Sequence, residues 1–322
     1  MHGSLKPQEQ PLDLQGYLKQ ARERGYRQQI HDAFARADKL SIAFVGELII
    51  DEYCYVKVLG KSAKEPILVT TELRREQFLG GVHAASMQGE WPNAECVSDN
   101  PIRKTRFVDA DFGRKLFEVY DKPGINLVGP ARELFHARVR QAAKDHDVIV
   151  VLDFGHGLLD ERDRMEMLTA PFVAANAQTN AGNYGYNSAL NYWDAQYVCV
   201  DEPEARLAMR NQHGPIDEVI RGLSGAMPGS KLVVTRGRYG SAACVNGEIV
   251  WVPPLTVGGI DTIGAGDAFL AVSAPLVAAG LELEAAALVG NIAGAIKVGI
   301  LGHQRHVTRG EILRTVDELL QG

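Results

Sequence analysis

The chain has 322 residues, 46% apolar and 23% charged, the profile of a globular protein with room for one large α/β domain or two small ones. Its formal net charge of −6 excludes a global pull toward nucleic acid or an anionic membrane, but leaves room for a locally basic pocket. The four cysteines, Cys54, Cys96, Cys199 and Cys244, form no CxxC pair and no zinc spacing, which predicts free thiols in a reducing compartment.

The opening "MHGSLKPQEQPLDLQ" lacks the apolar centre of a signal peptide. The longest uncharged stretch, Ala268 to Leu281, is too short to span a bilayer and contains Pro275. The expectation is a cytoplasmic protein with no membrane and no nucleic-acid partner. Residues 1–40 read as a helical extension. A helix is predicted over 12–38, where Leu14, Leu18, Tyr26, Ile30 and Phe34 recur at roughly helical spacing. Residues 41–322 read as one further domain.

That domain begins with "LSIAFVGELIIDEY", an apolar strand broken at Gly46. "YCYVKVLG" and "PILVTTEL" read as strands, and "FLGGVHAASMQGE" as a glycine turn entering a helix. "RKTRFVDADFGRKLFEVYD" reads as a hairpin turning at "DADFG". Together these predict a small β-sheet lid from about 52–72 and 104–121. Lys104 and Arg106 alternate on a strand and should share one face, where a phosphate could be gripped.

The second half alternates strand and helix. "HDVIVVLDFGHG" is a continuous apolar strand, expected to be buried on both faces. "LDERDRMEMLTAPFVAAN" reads as helix, "AQYVCVDEPEARLAM" as strand then helix, and "SKLVVTRGRYGSAACVNGEIVWVP" as a strand, a glycine turn and a hairpin. The last third is mostly helix rich in small residues. Such alternation predicts an α/β fold with a mostly parallel central sheet and helices on both faces.

In "DTIGAGDAFLA", Asp261 to Ala271, three small residues precede a carboxylate just where a helix begins. A helix N-terminus offers unpaired N–H groups and a positive dipole end, and small residues let an anion approach that backbone. Gly264, Ala265 and Gly266 therefore suit charge developing on a transferred phosphate. Asp267 could take the proton of an attacking hydroxyl. A tightly packed helix start with no chemistry is the competing reading. A dinucleotide fingerprint fails because Phe269 stands at its third glycine, and a P-loop at Gly60, Lys61 and Ser62 fails because Tyr55 stands at its first.

"DTIGAGDAF" resembles the signature of the ribokinase-like (PfkB) carbohydrate kinases, and looser resemblance runs from about residue 41 to 320. That likeness implies a ribokinase-like fold, ATP as donor, Mg2+, and a sugar or sugar phosphate as acceptor. It makes Asp267 the base and Gly264, Ala265 and Gly266 the anion hole. "FVGELIIDEY" puts Asp51 where sugar hydroxyls bind, and "FLGGVHAA" supplies Gly80 and Gly81. "VLDFGHGLL", with Asp153 and His156, resembles a strand end of the heptose-phosphate kinases, as does the Lys104 and Arg106 hairpin. "VDEPEARL" resembles the magnesium element and points to Glu204 with Asp201. "VTRGRYGS" puts Thr235, Arg236 and Gly237 under the nucleotide phosphates, and "GNIAGAIKVGILG" puts Asn291 beside the adenine.

The heptose 7-phosphate kinases are the most similar subgroup. Departures cluster on the acceptor side. Ala84 replaces an Asn, Asp201 an Asn and His156 a Lys, while Asn176 and Gln178 replace an acid and a base. Two alternatives stay open: a kinase for an unphosphorylated sugar or nucleoside, and a non-catalytic sugar- or nucleotide-binding relative. The run "QTNAGNYGYN", rich in amide, glycine and aromatic groups, offers Tyr184 or Tyr186 to a sugar ring, with an ordinary loop as the competing reading. His303 and His306 read as loop residues. Heptose kinases are often fused to a nucleotidyltransferase, whose HxGH signature is not found here. Lids of this family often pair, which implies a homodimer.

Overall fold

The computed structural model describes residues 13–255 and 261–321. Short apolar runs build the main sheet. Its strands are β1 (Ile42–Gly46), β4 (Ala94–Val97), β7 (Val148–Asp153), β8 (Val173–Ala177), β9 (Tyr197–Asp201), β10 (Lys231–Thr235), β11 (Ser241–Val245) and β12 (Glu248–Val252). They lie in the order β12-β11-β10-β9-β8-β7-β1-β4. Every pairing from β4 through β10 is parallel, and β11 and β12 add an antiparallel edge. All six residues of β7 are buried, as its unbroken apolar run predicts.

Helices cover both faces. On one side lie α1 (Leu14–Glu23), α2 (Tyr26–Ala37), α8 (Ala265–Ala278), α9 (Leu283–Lys297) and α10 (Arg309–Leu320). On the other lie α4 (Gly129–Asp145), α5 (Glu161–Met167), α6 (Glu202–Ala208) and α7 (Ile216–Ala226). The short α3 (Val82–Ser86) follows the glycine pair. In α8 the run from Ala268 to Val277 is entirely buried. Burial of Phe269, Leu270, Val272, Leu276 and Val277 stabilises the fold by about 1.5–3 kcal/mol each. The close approach of α9 depends on Gly290, where a Cβ would meet the Phe269 ring at 2.6 Å. The start of α8 is thereby fixed from behind.

A second sheet forms the lid, in the order β3-β2-β5-β6, from β2 (Leu48–Lys61), β3 (Leu68–Gly81), β5 (Ile102–Asp109) and β6 (Lys115–Tyr120). Strand β3 runs past the boundary expected near residue 72 as far as Gly81, because Asp51 to Leu48 keep pairing with Phe78 to Gly81. The expected hairpin at 109–113 is present as β5 and β6.

Two sequence expectations change. The helix over 12–38 is two helices, broken where Gly25 takes a left-handed φ of 70°; residues 1–12 lie outside the described residues. The helix expected over "LDERDRMEMLTAPFVAAN" ends at Met167, and Val173–Ala177 is strand β8. Helix-favouring alanines adopt strand there because both neighbours in the buried sheet offer them a ladder. Among the described residues, no helix is long and apolar enough to cross a membrane.

Candidate active site

The glycine turn and α8 meet at the carboxyl ends of the parallel strands. Gly264 is the N-cap with a left-handed φ of 75°, a conformation that favours glycine. Ala265 and Gly266 open the helix, and a Cβ on Gly266 would meet nothing within 4 Å. Asp267 stands in the first turn, half-buried. Its Oδ1 accepts a 2.6 Å hydrogen bond from Gln178 Nε2, and Oδ2 has no hydrogen-bond partner among the described residues. Burial raises the Asp267 carboxyl, and the charge of His303 and the Gln178 bond pull it back.

One wall of the site is a cavity of about 660 Å³. It brings together seven residues singled out from the sequence: Asp201, Thr235, Arg236, Gly237, Ala265, Gly266 and Asn291. Asn291 donates to the Pro253 carbonyl at 3.1 Å. Arg236 donates to Glu202 at 2.8 Å and lies over the Trp251 and Tyr239 rings. The cavity ends at the amides of the α8 start, so that corner is open.

The other wall is the inner face of the lid. Strand register puts Phe78, Asp51, Lys104 and Tyr120 in one row across four strands. Glu76, Tyr53, Arg106 and Glu118 form the next row. Asp51 is 3% exposed and pairs with Arg106 and, at 3.1 Å, with His303 Nε2. Burial alone would raise its carboxyl, but the His303 hydrogen bond and the Arg106 charge hold it down at about 2. Gly80 is required here, since a Cβ would sit 2.0 Å from Asp51 Oδ2. Gly81, at φ 60°, would drive a Cβ to 2.3 Å from the Glu47 carbonyl. Arg106, expected to grip phosphate, is divided between Asp51 and Glu118.

Lys104 differs. It is buried, its Nζ lies 4.9 Å from the Tyr120 ring centroid, and it has no ion pair among the described residues. Burial lowers its pKa, and the charges of Glu118 and Asp51 support it. His156 packs edge-on against the same tyrosine at 5.6 Å, and its buried Nε2 has no hydrogen-bond partner among the described residues. Burial, with the Lys104 charge, lowers its pKa to about 4. Asp153, expected at the acceptor, is instead enclosed by protein donors. Tyr192 donates to it at 2.7 Å, and Asn187 and the Gly155 amide at 3.0 and 2.9 Å. It organises the loop that carries His156.

Asp201 and Glu204 cap α6 reciprocally. Each carboxylate accepts the other's backbone N–H at 2.8 Å, and Glu204 also accepts from Thr179 at 3.2 Å. Burial, with the charges of Asp201 and Asp267, pushes Glu204 up to about 8. Among the described residues no cation pairs with Asp201, Glu204 or Asp267, although neighbouring Glu202 pairs with Arg206 and Arg236. Asp201, Glu204 and Asp267 offer hard oxygen donors of the kind a divalent cation takes, but they do not converge on one point; among the described residues the one cluster that does is His136, Asp160 and Asp163.

Sequence reasoning missed three buried groups. His303 is no free loop residue, because it lies between Asp51 and the Gly264 turn. Glu47 is wholly buried and accepts the backbone N–H groups of Phe154 and His156. Burial and the nearby Asp153 charge raise it to about 8. Lys297 is wholly buried behind the same turn. Glu47 and Lys297 are each a lone charge within an apolar run, which was the available signal.

A parallel sheet with a glycine turn and an acid at its strand ends, and a β lid over them, defines the architecture of a sugar kinase. Residues 125–308, more than half the chain, match the pfkB family of carbohydrate kinases, and the chain belongs to that family. Members are phosphotransferases that act on an alcohol group. Bifunctional protein HldE of Trichlorobacter lovleyi is 26% identical over 334 residues, covering 90% of this chain; the chain spans 65% of that relative's length. The fold is that of ribokinase. Thermotoga maritima ribokinase superposes with a TM-score of 0.63 at 18% identity, covering 88% of this chain and 100% of that one. Arabidopsis thaliana ribokinase complexed with ribose and ATP gives 0.60 at 15%, covering 88% and 99%.

Proposed function

We propose that the protein transfers the γ-phosphoryl group of ATP to a hydroxyl of a sugar phosphate, with a heptose 7-phosphate-like acceptor favoured. The observation that carries this reading is the convergence of the open α8 start and the Asp267 carboxylate beside the acceptor row of the lid. ATP lies in the 660 Å³ cavity, its phosphates toward Thr235, Gly237 and the α8 amides and its base toward Asn291. Asp51 orients the acceptor, and Asp267 Oδ2 removes the proton of the attacking hydroxyl. Backbone amides of Gly264 to Gly266 meet the charge that develops on the transferred group. Asp201 and Glu204 hold Mg2+, which when bound neutralises phosphate charge.

The phosphate of the acceptor is assigned to Lys104 and His156. An unpaired buried ammonium beside an orphaned imidazole nitrogen is costly without an anion to satisfy both. HldE likeness supports a heptose acceptor, while Ala84, His156, Asn176 and Gln178 mark where recognition differs. The test is ADP release across phosphorylated sugars, free sugars and nucleosides. Lys104→Met should raise KM about 10–100-fold for phosphorylated acceptors, the worth of a charge-assisted hydrogen bond, and leave free sugars unchanged. Preference for a free sugar or nucleoside would transfer the reading to that acceptor, and no acceptor-dependent release would leave a binding protein.

The outer lid face supports a homodimer. Leu79, Phe117 and Val119 are exposed there, Phe107 stacks on Phe117 at 4.5 Å, and Glu72, Arg75 and Arg103 put both charge signs on the same face. Such a patch can meet its own copy about a two-fold axis. Light scattering of Phe117→Glu should show a monomer where the parent shows a dimer.

A further inference from the structure

Lys297 ends α9 with its side chain wholly buried, and the chemistry above makes no use of it. Its Nζ donates to the Gly302 carbonyl, and among the described residues no carboxylate lies within ion-pair distance. The Gly302 amide donates to Asp261 Oδ2 at 3.1 Å, and Asp261 Oδ1 accepts from the Ile263 amide at 3.2 Å. A Cβ on Gly264 would lie 3.2 Å from Lys297 Cε. The loop that follows α9 and the turn that opens α8 therefore close around one ammonium group.

An ammonium taken out of water without a paired carboxylate is expensive, so its presence calls for a return elsewhere. We propose that Lys297 is a positioning residue for phosphoryl transfer: a tethered cation behind the Gly264–Gly266 turn. It holds that turn through Gly302 and Asp261, and it adds positive potential where the γ-phosphoryl group gains negative charge. Burial lowers the Lys297 pKa while the charges of Asp261, Asp267 and Asp51 support it, so the cation belongs to the same electrostatic unit as the base. The inference rests on the kinase reading above and deepens it.

The test uses full-length wild type, Lys297→Met and Lys297→Ala, with acceptor-dependent ADP release and thermal unfolding. Lys297→Met keeps the apolar stem and removes the charge. It should hold Tm within about 2 °C of wild type, since the loss of a buried unpaired charge offsets the loss of the donor to the Gly302 carbonyl, and leave both KM values within about threefold while kcat falls at least tenfold. Lys297→Ala leaves a cavity, and ammonium, methylammonium or potassium chloride should restore its kcat at least fivefold against a sodium chloride control. The same salts should leave wild type unchanged. Wild-type kcat in Lys297→Met overturns the proposal, as does a kcat loss that follows Tm and resists every cation. If wild type turns over and Lys297→Met matches it, only this inference fails. If wild type binds no ATP by calorimetry, the kinase reading and this inference fall together.

Discussion

Replacing Asp267 by Asn isolates proton removal from everything else the residue does. The amide keeps an oxygen where Gln178 Nε2 now donates at 2.6 Å, so the side chain stays in place. It removes a charge that burial disfavours and that pushes Glu204 upward, so the free protein should lose no stability. What goes is the carboxylate able to accept the hydroxyl proton. Loss of a placed general base costs about 10²–10⁴ in rate, or about 3–5.5 kcal/mol of barrier. A coupled ADP-release assay with the preferred acceptor should therefore show kcat down by about 10²–10⁴-fold, KM for ATP and acceptor changed by less than about threefold, and Tm within about 2 °C of wild type. In wild type the acid limb of kcat/KM should lie above the ordinary aspartate range, because burial raises the carboxyl. A variant within tenfold of wild-type kcat, with Tm unchanged, would show that another group takes the proton, and would refute the role argued for Asp267.

Gly80→Ala would force a Cβ to 2.0 Å from Asp51 Oδ2; acceptor kcat/KM should fall at least tenfold while KM for ATP holds, as steady-state kinetics with each substrate varied will check. Glu204→Gln removes a carboxyl pushed up to about 8 by burial and by Asp201, so the free protein should be at least as stable by thermal unfolding. The same variant should need at least tenfold more Mg2+ for half-maximal rate, read from a magnesium titration. Asp51 is held at about 2, below its unfolded value near 4, so its contribution to stability is complete above pH 4 and is lost as pH falls through about 2. Urea unfolding should show the wild-type advantage over Asp51→Asn, about 2 kcal/mol from the shift, shrinking across that window; an advantage constant from pH 5 to 2 would contradict the Asp51–His303–Arg106 arrangement.

What the sequence made legible was local. A glycine with φ 75° immediately before an apolar helix can be read from neighbours along the chain, and so can a strand buried on both faces. The alternation of Lys104 and Arg106 correctly put them on one lid face, but their different fates were not readable. Arg106 meets Asp51 and Glu118, while Lys104 lies over the Tyr120 ring with no ion pair among the described residues, and those neighbours arrive by sheet register. His303 looked like part of a polar loop because its partner Asp51 lies at the far end of the chain. Strand β8 was hidden because "VAANA" carries no β-branched periodicity beyond Val173, and only its neighbours β7 and β9 make it a strand.

The two halves of the proposed site are built from different materials. The proposed donor half rests on backbone: the amides of Gly264 to Gly266 and the turn at Gly237, where positive φ at Gly264 and Gly237 favours glycine. The proposed acceptor half rests on side chains from β2, β3, β5 and β6 and from the loop after β7. The halves are nevertheless tied together. Lys115 of β6 pairs with Asp261 at 3.0 Å and the Tyr53 hydroxyl of β2 donates to it at 3.3 Å, so the lid is fastened to the residue that begins the anion-hole turn. A lid that swung away would release both contacts and withdraw the Asp51 row in the same motion. On the proposed reading, closure of the lid over an acceptor and placement of the α8 start would be coupled through these two contacts.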